Sequence, residues 1–238
     1  MIEIREPQSI YQIKGEIVNG TFSGRWHFAF GNHREEGFIH FGGLRVFNDD
    51  TLSPGAIWPL HPHHDIEVVT YCADGVFRHA DERGKGGTLK KGDVQHTTVG
   101  NGMWHSEIND RDDAPMRFIQ MWFQPSKKGL RPSVESKAVE RKDRTNRLLP
   151  LISPIDKNAL YIYSDAMVFS SFCQANKTLK HQMDQGRGAY LYVLEGGPVT
   201  VGTHTVKTLG AAMVTDERAI HIKAEADAEL LLVDVGMG

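Results

Sequence analysis

The sequence lacks the features that mark several classes of protein. Its 238 residues contain no run of about 18 apolar residues, which a membrane-spanning helix would need. Disorder is excluded because the net charge is only −3 while 40% of the residues are hydrophobic. The first residues show neither the basic start nor the apolar stretch of a signal peptide. Only two cysteines occur, Cys72 and Cys173, and we expect both to be reduced core residues of a cytoplasmic protein.

Segments with helical periodicity are scarce, and short runs typical of β-strands take their place. These runs are rich in Val, Ile, Thr, Phe and Tyr and are bounded by turn residues, as in IEVVTYC, MRFIQMWFQ, ALYIYS and ELLLVDVG. Strands spaced by about 8–12 residues with turn signals between them favour an all-β sandwich or barrel. A parallel α/β sheet would need alternating helices, which the sequence does not supply.

The two halves of the chain resemble each other. In each half a histidine-containing segment precedes an apolar strand, an acidic-Gly turn (Asp74-Gly75 and Glu195-Gly196), a second strand, and a Gly that opens another strand. This repeat predicts a duplicated β-barrel. We expect an N-terminal barrel over residues 1–130, a linker over 131–150 and a C-terminal barrel over 151–238.

A basic segment separates the two halves. Residues 126–147 hold eight Lys or Arg against three Asp or Glu and almost no large apolar residue, which is typical of an inter-domain linker. No aromatic residue interleaves the charges and the whole chain is slightly acidic. We therefore interpret the segment as a solvated linker and expect no direct binding of nucleic acid.

Histidine is the unusual residue of the composition. Nine of the 12 histidines fall between His27 and His105. His61 and His63 stand at positions i and i+2, so on a strand both rings project from one face and can converge on one ion. His105 and Glu107 repeat this spacing, and an antiparallel neighbour would bring all four groups together. Three imidazoles and one carboxylate suit iron, manganese, cobalt, nickel, copper or zinc.

Other residues near these positions offer alternatives. Glu67 shares the parity of His61 and His63, but it lies four residues beyond His63, about 13 Å along a straight strand. His64 has the opposite parity and should point away, and we interpret His96 as structural or exposed. The competing interpretation of all these histidines is that hydrogen bonds satisfy them in the core or at the surface.

The motifs resemble those of the cupin superfamily and, more closely, of the pirin family, whose members hold two cupin barrels of the jelly-roll type in one chain. The matching stretches are Arg25–Phe28, Leu44–Asp50, Gly55–Gly75 with its His61-Pro62-His63, Gly92–Glu107 and Gln120–Trp122. In that family the two histidines of the first motif and the histidine and glutamate of the second hold iron. The resemblance thus implies an Fe2+ site at His61, His63, His105 and Glu107.

The resemblance implies two activities, a quercetin 2,3-dioxygenase and a nuclear transcription cofactor. We expect a metal-dependent dioxygenase that cleaves flavonols such as quercetin with O2 and releases CO, with Glu107 as base. The alternatives are a metal- or redox-sensing binding module without turnover, and another cupin enzyme such as an isomerase or decarboxylase. Candidate pocket walls, which are equally candidates for core, are Phe47, Met103, Trp104 and Trp122.

The second half departs from the site pattern. The segments that we take as counterparts are His181-Gln182-Met183 and Ile220-His221-Ile222, which cannot supply four ligands. We therefore expect one metal ion, held by the first barrel, and a second barrel that serves packing. As in the family, we expect a monomer without a membrane partner.

Overall fold

The computed structural model describes residues 1–33, 37–82 and 86–238, which are almost entirely β-structure. The strands of the first half are β1 (Ile2–Arg5), β2 (Tyr11–Ile17), β3 (Gly20–Trp26), β4 (Leu44–Leu52), β5 (Ile57–His63), β6 (Glu67–Asp74), β7 (Val76–Asp81), β8 (Gly86–Lys90), β9 (Val94–Thr98), β10 (Met103–Ile108), β11 (Met116–Phe123) and β12 (Ser133–Lys137). A 3-10 turn at Arg141–Arg144 separates them from the second half. Its strands are β13 (Leu149–Ile152), β14 (Ala166–Cys173), β15 (Thr178–Gln182), β16 (Arg187–Gly196), β17 (Val199–Val201), β18 (His204–Val206), β19 (Ala211–Thr215), β20 (Ala219–Ala224) and β21 (Ala228–Gly236).

These strands form two barrels of the same topology, so the predicted all-β fold with two cupin barrels is confirmed. The first barrel pairs a seven-stranded sheet, β12-β9-β6-β11-β4-β3-β2, with a four-stranded sheet, β5-β10-β7-β8. The second pairs a six-stranded sheet, β1-β19-β16-β21-β14-β13, with a four-stranded sheet, β15-β20-β17-β18. Strand for strand, the order in the two small sheets is the same, which is the pattern of a duplicated unit.

The acidic-Gly turns occupy equivalent positions in the two barrels. Gly75 directly follows the last residue of β6, and Gly196 is the last residue of β16. Both have a positive φ (73° and 67°). A Cβ added at Gly75 would lie 2.5 Å from the carbonyl oxygen of Pro115, and one at Gly196 would lie 1.9 Å from that of Asp227. At each position glycine is required for two reasons: the backbone conformation, and the close approach of the start of the paired strand.

The large sheets of the two barrels pack against each other. In β6 the side chains of Val68 and Cys72 face the interior of the first barrel, and those of Val69 and Tyr71 join a shared core with the second barrel. Tyr190 on β16 belongs to the same core. Because both faces of β6 are covered, the strand is a continuous apolar run and not an alternating one.

Strand pairing differs from the predicted domain boundaries at two places. Ile2–Arg5, placed in the N-terminal barrel (1–130), pairs with β19 and completes the large sheet of the second barrel. Ser133–Lys137, placed in the linker (131–150), pairs with β9 and completes the large sheet of the first. Hydrogen bonding thus crosses both predicted boundaries, because the edge of the second barrel's large sheet takes a strand from the first half and the edge of the first barrel's large sheet takes a strand from the predicted linker.

The basic segment is also not the solvated linker that we expected. Besides β12 it contains the 3-10 turn, whose Arg144 is buried and forms an ion pair with the buried Glu229 of the second barrel. Arg141 bonds the same carboxylate at 3.1 Å. Part of the basic charge therefore holds the two barrels together.

One predicted strand is missing. The segment ALYIYS, residues 159–164, forms no strand beyond an isolated bridge between Leu160 and Ile152. Its Tyr161 and Tyr163 rings are in edge contact, with centroids 4.9 Å apart.

The described part of the chain has no helix long and apolar enough to cross a membrane.

Candidate metal centre

The candidate metal centre lies on two neighbouring strands of the small sheet of the first barrel. In the antiparallel pair β5 and β10, His61 stands opposite His105 and His63 stands opposite Met103. The register then shifts, so that Glu107 stands opposite Trp58. This bulge falls at Pro59 and Leu60, where a proline interrupts the ladder, and it turns Trp58 to the barrel interior.

The structure brings three predicted ligands close together and places the fourth beside them. One nitrogen each of His61, His63 and His105 lies within 4.8 Å of the other two. Glu107 Oε1 lies 3.7 Å from His105 Nε2. Metal–nitrogen bonds of about 2.1 Å separate two cis ligands by roughly 3 Å, so small side-chain movements would close the site around an ion.

Unpartnered atoms indicate what these side chains can bind. His63 Nε2, His105 Nε2 and Glu107 Oε2 are buried and have no hydrogen-bond partner among the described residues. Buried polar atoms normally have a partner, and three such atoms in one cluster of metal-ligating types fit a cation. These donors therefore fit a divalent transition metal.

Hydrogen bonds at the other ring nitrogens orient the imidazoles. His61 Nδ1 lies 2.8 Å from the Pro59 carbonyl oxygen, which leaves Nε2 for a metal. His105 Nδ1 lies 3.0 Å from Nε2 of the buried His79. A metal at His105 Nε2 requires the proton on Nδ1, which then donates to His79.

A chain of two hydrogen bonds orients the Glu107 carboxylate. The Gln120 amide donates from Nε2 to Glu107 Oε1 at 2.5 Å, and its own oxygen accepts the Trp122 indole N–H at 3.2 Å. Because the indole fixes the amide orientation, Gln120 presents its donor end to the carboxylate. Glu107 Oε2 is left for a ligand.

Burial keeps two of the imidazoles neutral. The pKa of His63 is lowered to about 4, by burial and then by the neighbouring His105 and His61. The pKa of His105 is lowered to about 3, by burial and then by His61 and His79. Neutral imidazole is the form that ligates metals, so neither ring has to lose a proton at neutral pH.

The cluster opens into a small cavity of about 100 Å³. Aromatic side chains form its walls, namely Phe30, Trp58, Phe118 and Trp122. Its remaining lining is polar and consists of His61, His63, Glu107, Gln120, Asn48 and Asp50. The cavity can therefore hold an apolar ring while polar groups orient one of its edges.

Comparison with known proteins identifies the family. Residues 11–123 match the sequence profile described as Pirin, and residues 151–235 match that described as Quercetinase C-terminal cupin domain. A pirin-like protein of Caulobacter vibrioides is 35% identical over 222 residues, which cover 92% of this chain and 95% of that protein. The chain belongs to the pirin family.

A sequence match and a structure match from Escherichia coli extend the comparison. The quercetin 2,3-dioxygenase of strain K12 is 30% identical over 212 residues, covering 88% of this pirin and 90% of that protein. The crystal structure of the bacterial pirin YhhW in complex with nickel(II) matches with a TM-score of 0.92 at 26% identity and covers 100% of both chains. These matches support the conclusion that this pirin is a dioxygenase-like cupin with a site for a divalent metal.

The alternative ligand Glu67 lies elsewhere in this pirin. Its Oε2 lies 2.9 Å from His96 Nε2 and accepts the backbone N–H of Tyr163 at 3.1 Å, in the packing between the barrels. His96 is thus buried and structural. His64 is exposed and lies beside Asp65, in accord with its opposite parity.

Of the four candidate pocket walls, only Trp122 lines the cavity, and its ring centroid is 4.7 Å from that of His63. Phe47 is buried in the core between the barrels, and Met103 packs in a separate small cluster. Trp104 is 48% exposed on the outer face of the sheet. The positions of Phe47 and Trp104 follow from strand parity, since Phe47 faces the second barrel and Trp104 alternates with His105.

Strand pairing corrects the predicted counterparts in the second barrel by two residues. There His181 stands opposite Ile220 and Leu179 stands opposite Ile222, as His63 and His61 stand opposite Met103 and His105. The ligand positions are thus taken by Leu179, His181, Ile222 and Ala224, of which only one can ligate a metal. His181 Nε2 is held 2.6 Å from the buried Asp234.

Sequence reasoning missed His79, Gln120, Asn48 and Asp50. A signal was present for the last two, because the run Asn48-Asp49-Asp50 interrupts an apolar strand that must be buried. Buried polar residues require partners or a ligand. His79 and Gln120 gave no such signal, because their roles depend on strand pairing.

Proposed function

We propose that this pirin is a metal-dependent dioxygenase that cleaves flavonols such as quercetin with O2 and releases CO. The observation that carries the proposal is a cluster of unpartnered imidazole and carboxylate atoms at an aromatic-walled cavity. The 30% identity to a quercetin 2,3-dioxygenase supports the choice of substrate. Both thiols are free and buried, which suits the monomeric cytoplasmic protein that we propose.

The proposed ligands are His61, His63, His105 and Glu107, and the proposed metal is Fe2+. The structure of the relative YhhW in complex with nickel(II) supports a divalent transition metal. When bound, the metal would supply a Lewis acid and a meeting point for substrate and O2. Glu107 is also the proposed base, because a carboxylate ligand can loosen: Gln120 holds Oε1, and Oε2 would accept the proton of the flavonol 3-hydroxyl. Four aromatic side chains line the cavity in which this proton transfer would occur.

The test combines elemental analysis of protein purified without added metal with a quercetin assay under air. We expect one divalent metal per chain, loss of flavonol absorbance and release of CO. Glu107→Gln should abolish turnover and keep much of the metal through the three imidazoles. The matched control is His64→Gln, an exposed histidine next to the cluster, which should keep both. Wild-type rates in Glu107→Gln would refute the assignment of the base.

One observation favours the alternative of a binding module without turnover. The outer face of the metal-bearing strands exposes Leu60, Pro62 and Trp104, so a protein partner could contact the strands that carry the ligands. A Trp104→Ser variant separates the two functions. It should leave flavonol turnover unchanged if the chain is a dioxygenase, and it should abolish metal-dependent partner capture if the chain is a binding module.

A further inference from the structure

We propose that Asn48 and Asp50 are the substrate-recognition residues of the cavity and bind a hydroxyl and a carbonyl oxygen on one ring of the substrate. The inference deepens the proposed function and rests on it. Both side chains project from β4 into the cavity that also contains His61, His63 and Glu107.

The side-chain amide of Asn48 supports this proposal. Its side chain is 3% exposed, and its Oδ1 atom has no hydrogen-bond partner among the described residues. Its neighbours on the adjacent strands are Trp26 and Gln120, whose polar groups are already bonded to Asp50 and Glu107. An unsatisfied buried acceptor destabilises the folded state, and a ligand hydroxyl in the cavity would satisfy it.

The side-chain carboxyl group of Asp50 supports the proposal as well. Its Oδ1 atom accepts the Trp26 indole N–H at 3.1 Å, and Gly24 leaves the space for this bond, since a Cβ there would lie 2.2 Å from Oδ1. Burial raises the pKa of Asp50 to about 8; the Trp26 bond opposes this, and the charges of Asp49 and Glu107 add to it. In the metal-free protein the carboxyl therefore favours its protonated form at neutral pH, and Oδ2, which does not accept the Trp26 bond, is the oxygen that can donate.

The spacing of the two groups defines the ligand. Residues on one face of a strand repeat about every 6.8 Å, and each hydrogen bond spans about 2.8 Å, so the pair can reach two neighbouring oxygens of one ring. Asn48 Oδ1 accepts from the hydroxyl as the ligand binds, before Glu107 takes that proton, and Asp50 donates to the carbonyl. A 3-hydroxy-4-pyranone ring, the reacting ring of a flavonol, presents this pattern.

The size of the cavity limits how much of the ligand enters. Sites for drug-sized ligands usually measure about 300–1,000 Å³, and this cavity measures about 100 Å³. One ring fits, and the remainder of a flavonol must lie outside. Maltol, which is the hydroxypyranone ring with one methyl group, is therefore a direct probe of the pair.

The experiment measures the dissociation constants of maltol and quercetin on metal-loaded protein without O2, together with the Tm of the metal-free protein. Asn48→Leu should weaken both probes at least tenfold, the equivalent of about 1.4 kcal/mol, with an unchanged or higher Tm. The matched control is Gln95→Met. Gln95 is equally buried and its Nε2 is unpartnered among the described residues, but it lines another cavity, so its affinities should not change.

A second pair of variants decides the case if Asn48→Leu does not fold. Asp50→Asn keeps a neutral donor and should bind maltol within threefold of wild type, whereas Asp50→Ala should lose at least tenfold. Affinities within twofold of wild type in Asn48→Leu or Asp50→Ala, or an equal loss in Gln95→Met, would overturn the inference. So would a wild type that binds neither probe. If maltol binds and quercetin does not, the flavonol function fails and this inference stands.

Discussion

Replacing the buried acid of the cavity should stabilise the protein. Asp50 is 5% exposed and its pKa is raised to about 8, mainly by burial. Asp50→Asn keeps an oxygen for the Trp26 indole, which donates to Asp50 Oδ1 in the wild type. The variant has no proton equilibrium at this position, so it avoids the cost of holding an ionisable group neutral.

The sign and size of the effect follow from the two pKa values. Below pH 3.8 the folded and unfolded states both hold the proton, and between 3.8 and about 8 only the folded state favours it. Wild-type stability therefore falls as pH rises through this window, by up to about 1.4 kcal/mol per pH unit. The advantage of Asp50→Asn should grow by up to about 3 kcal/mol between pH 5 and pH 7 and level off above pH 8.

Urea unfolding of the metal-free protein at pH 5, 6, 7 and 8 measures this difference. Titration of the other groups cancels when each variant is compared with wild type at the same pH. Asp184→Asn, at an exposed position, is the matched control and should show no trend. A free-energy difference between Asp50→Asn and wild type that stays constant from pH 5 to pH 8 would refute the reasoning.

Three further predictions concern other parts of the molecule. His79→Phe should weaken metal binding by about 10- to 100-fold in a competition titration, because His105 loses its orienting partner; unchanged affinity would contradict this role. Arg144→Met should lower the free energy of unfolding by less than the ~3–5 kcal/mol of a fully broken buried pair, because Glu229 loses its buried partner but keeps Arg141, and Arg144→Met with Glu229→Leu should recover much of that loss. Gly75→Ala should lower the Tm more than Gly55→Ala, since both have a positive φ but a Cβ meets backbone only at Gly75.

The general fold could be predicted from the sequence because it depends on local patterns. Runs of β-branched and aromatic residues and the acidic-Gly turns at Gly75 and Gly196 mark strands and their ends wherever the partner strands lie. The edge strands could not be assigned in this way. Ile2–Arg5 pairs with a strand of the other half and Ser133–Lys137 pairs from within the predicted linker, and such long-range pairing leaves no trace in local periodicity.

The candidate site shows the same division. The proximity of His61, His63 and His105 follows from strand parity, and so does the outward direction of His64. The entry of Trp58 into the cavity depends on the bulge before His61, which a simple alternation of residues does not predict. The supporting contacts of His79 and Gln120 required the pairing of strands from distant parts of the chain.

The pairing of Ile2–Arg5 with the second barrel has a consequence for biosynthesis. Ile2–Arg5 leaves the ribosome well before its partner Ala211–Thr215, which follows about 200 residues later. At translation rates of about 5–20 residues per second, this strand waits roughly 10–40 s for its place in the sheet. The half that carries the histidine cluster is complete in the nascent chain once Ser133–Lys137 has emerged, well before the start of the chain is fixed. A strand that is made early is thus incorporated late, and the second barrel, unlike the first, is not contiguous in the chain.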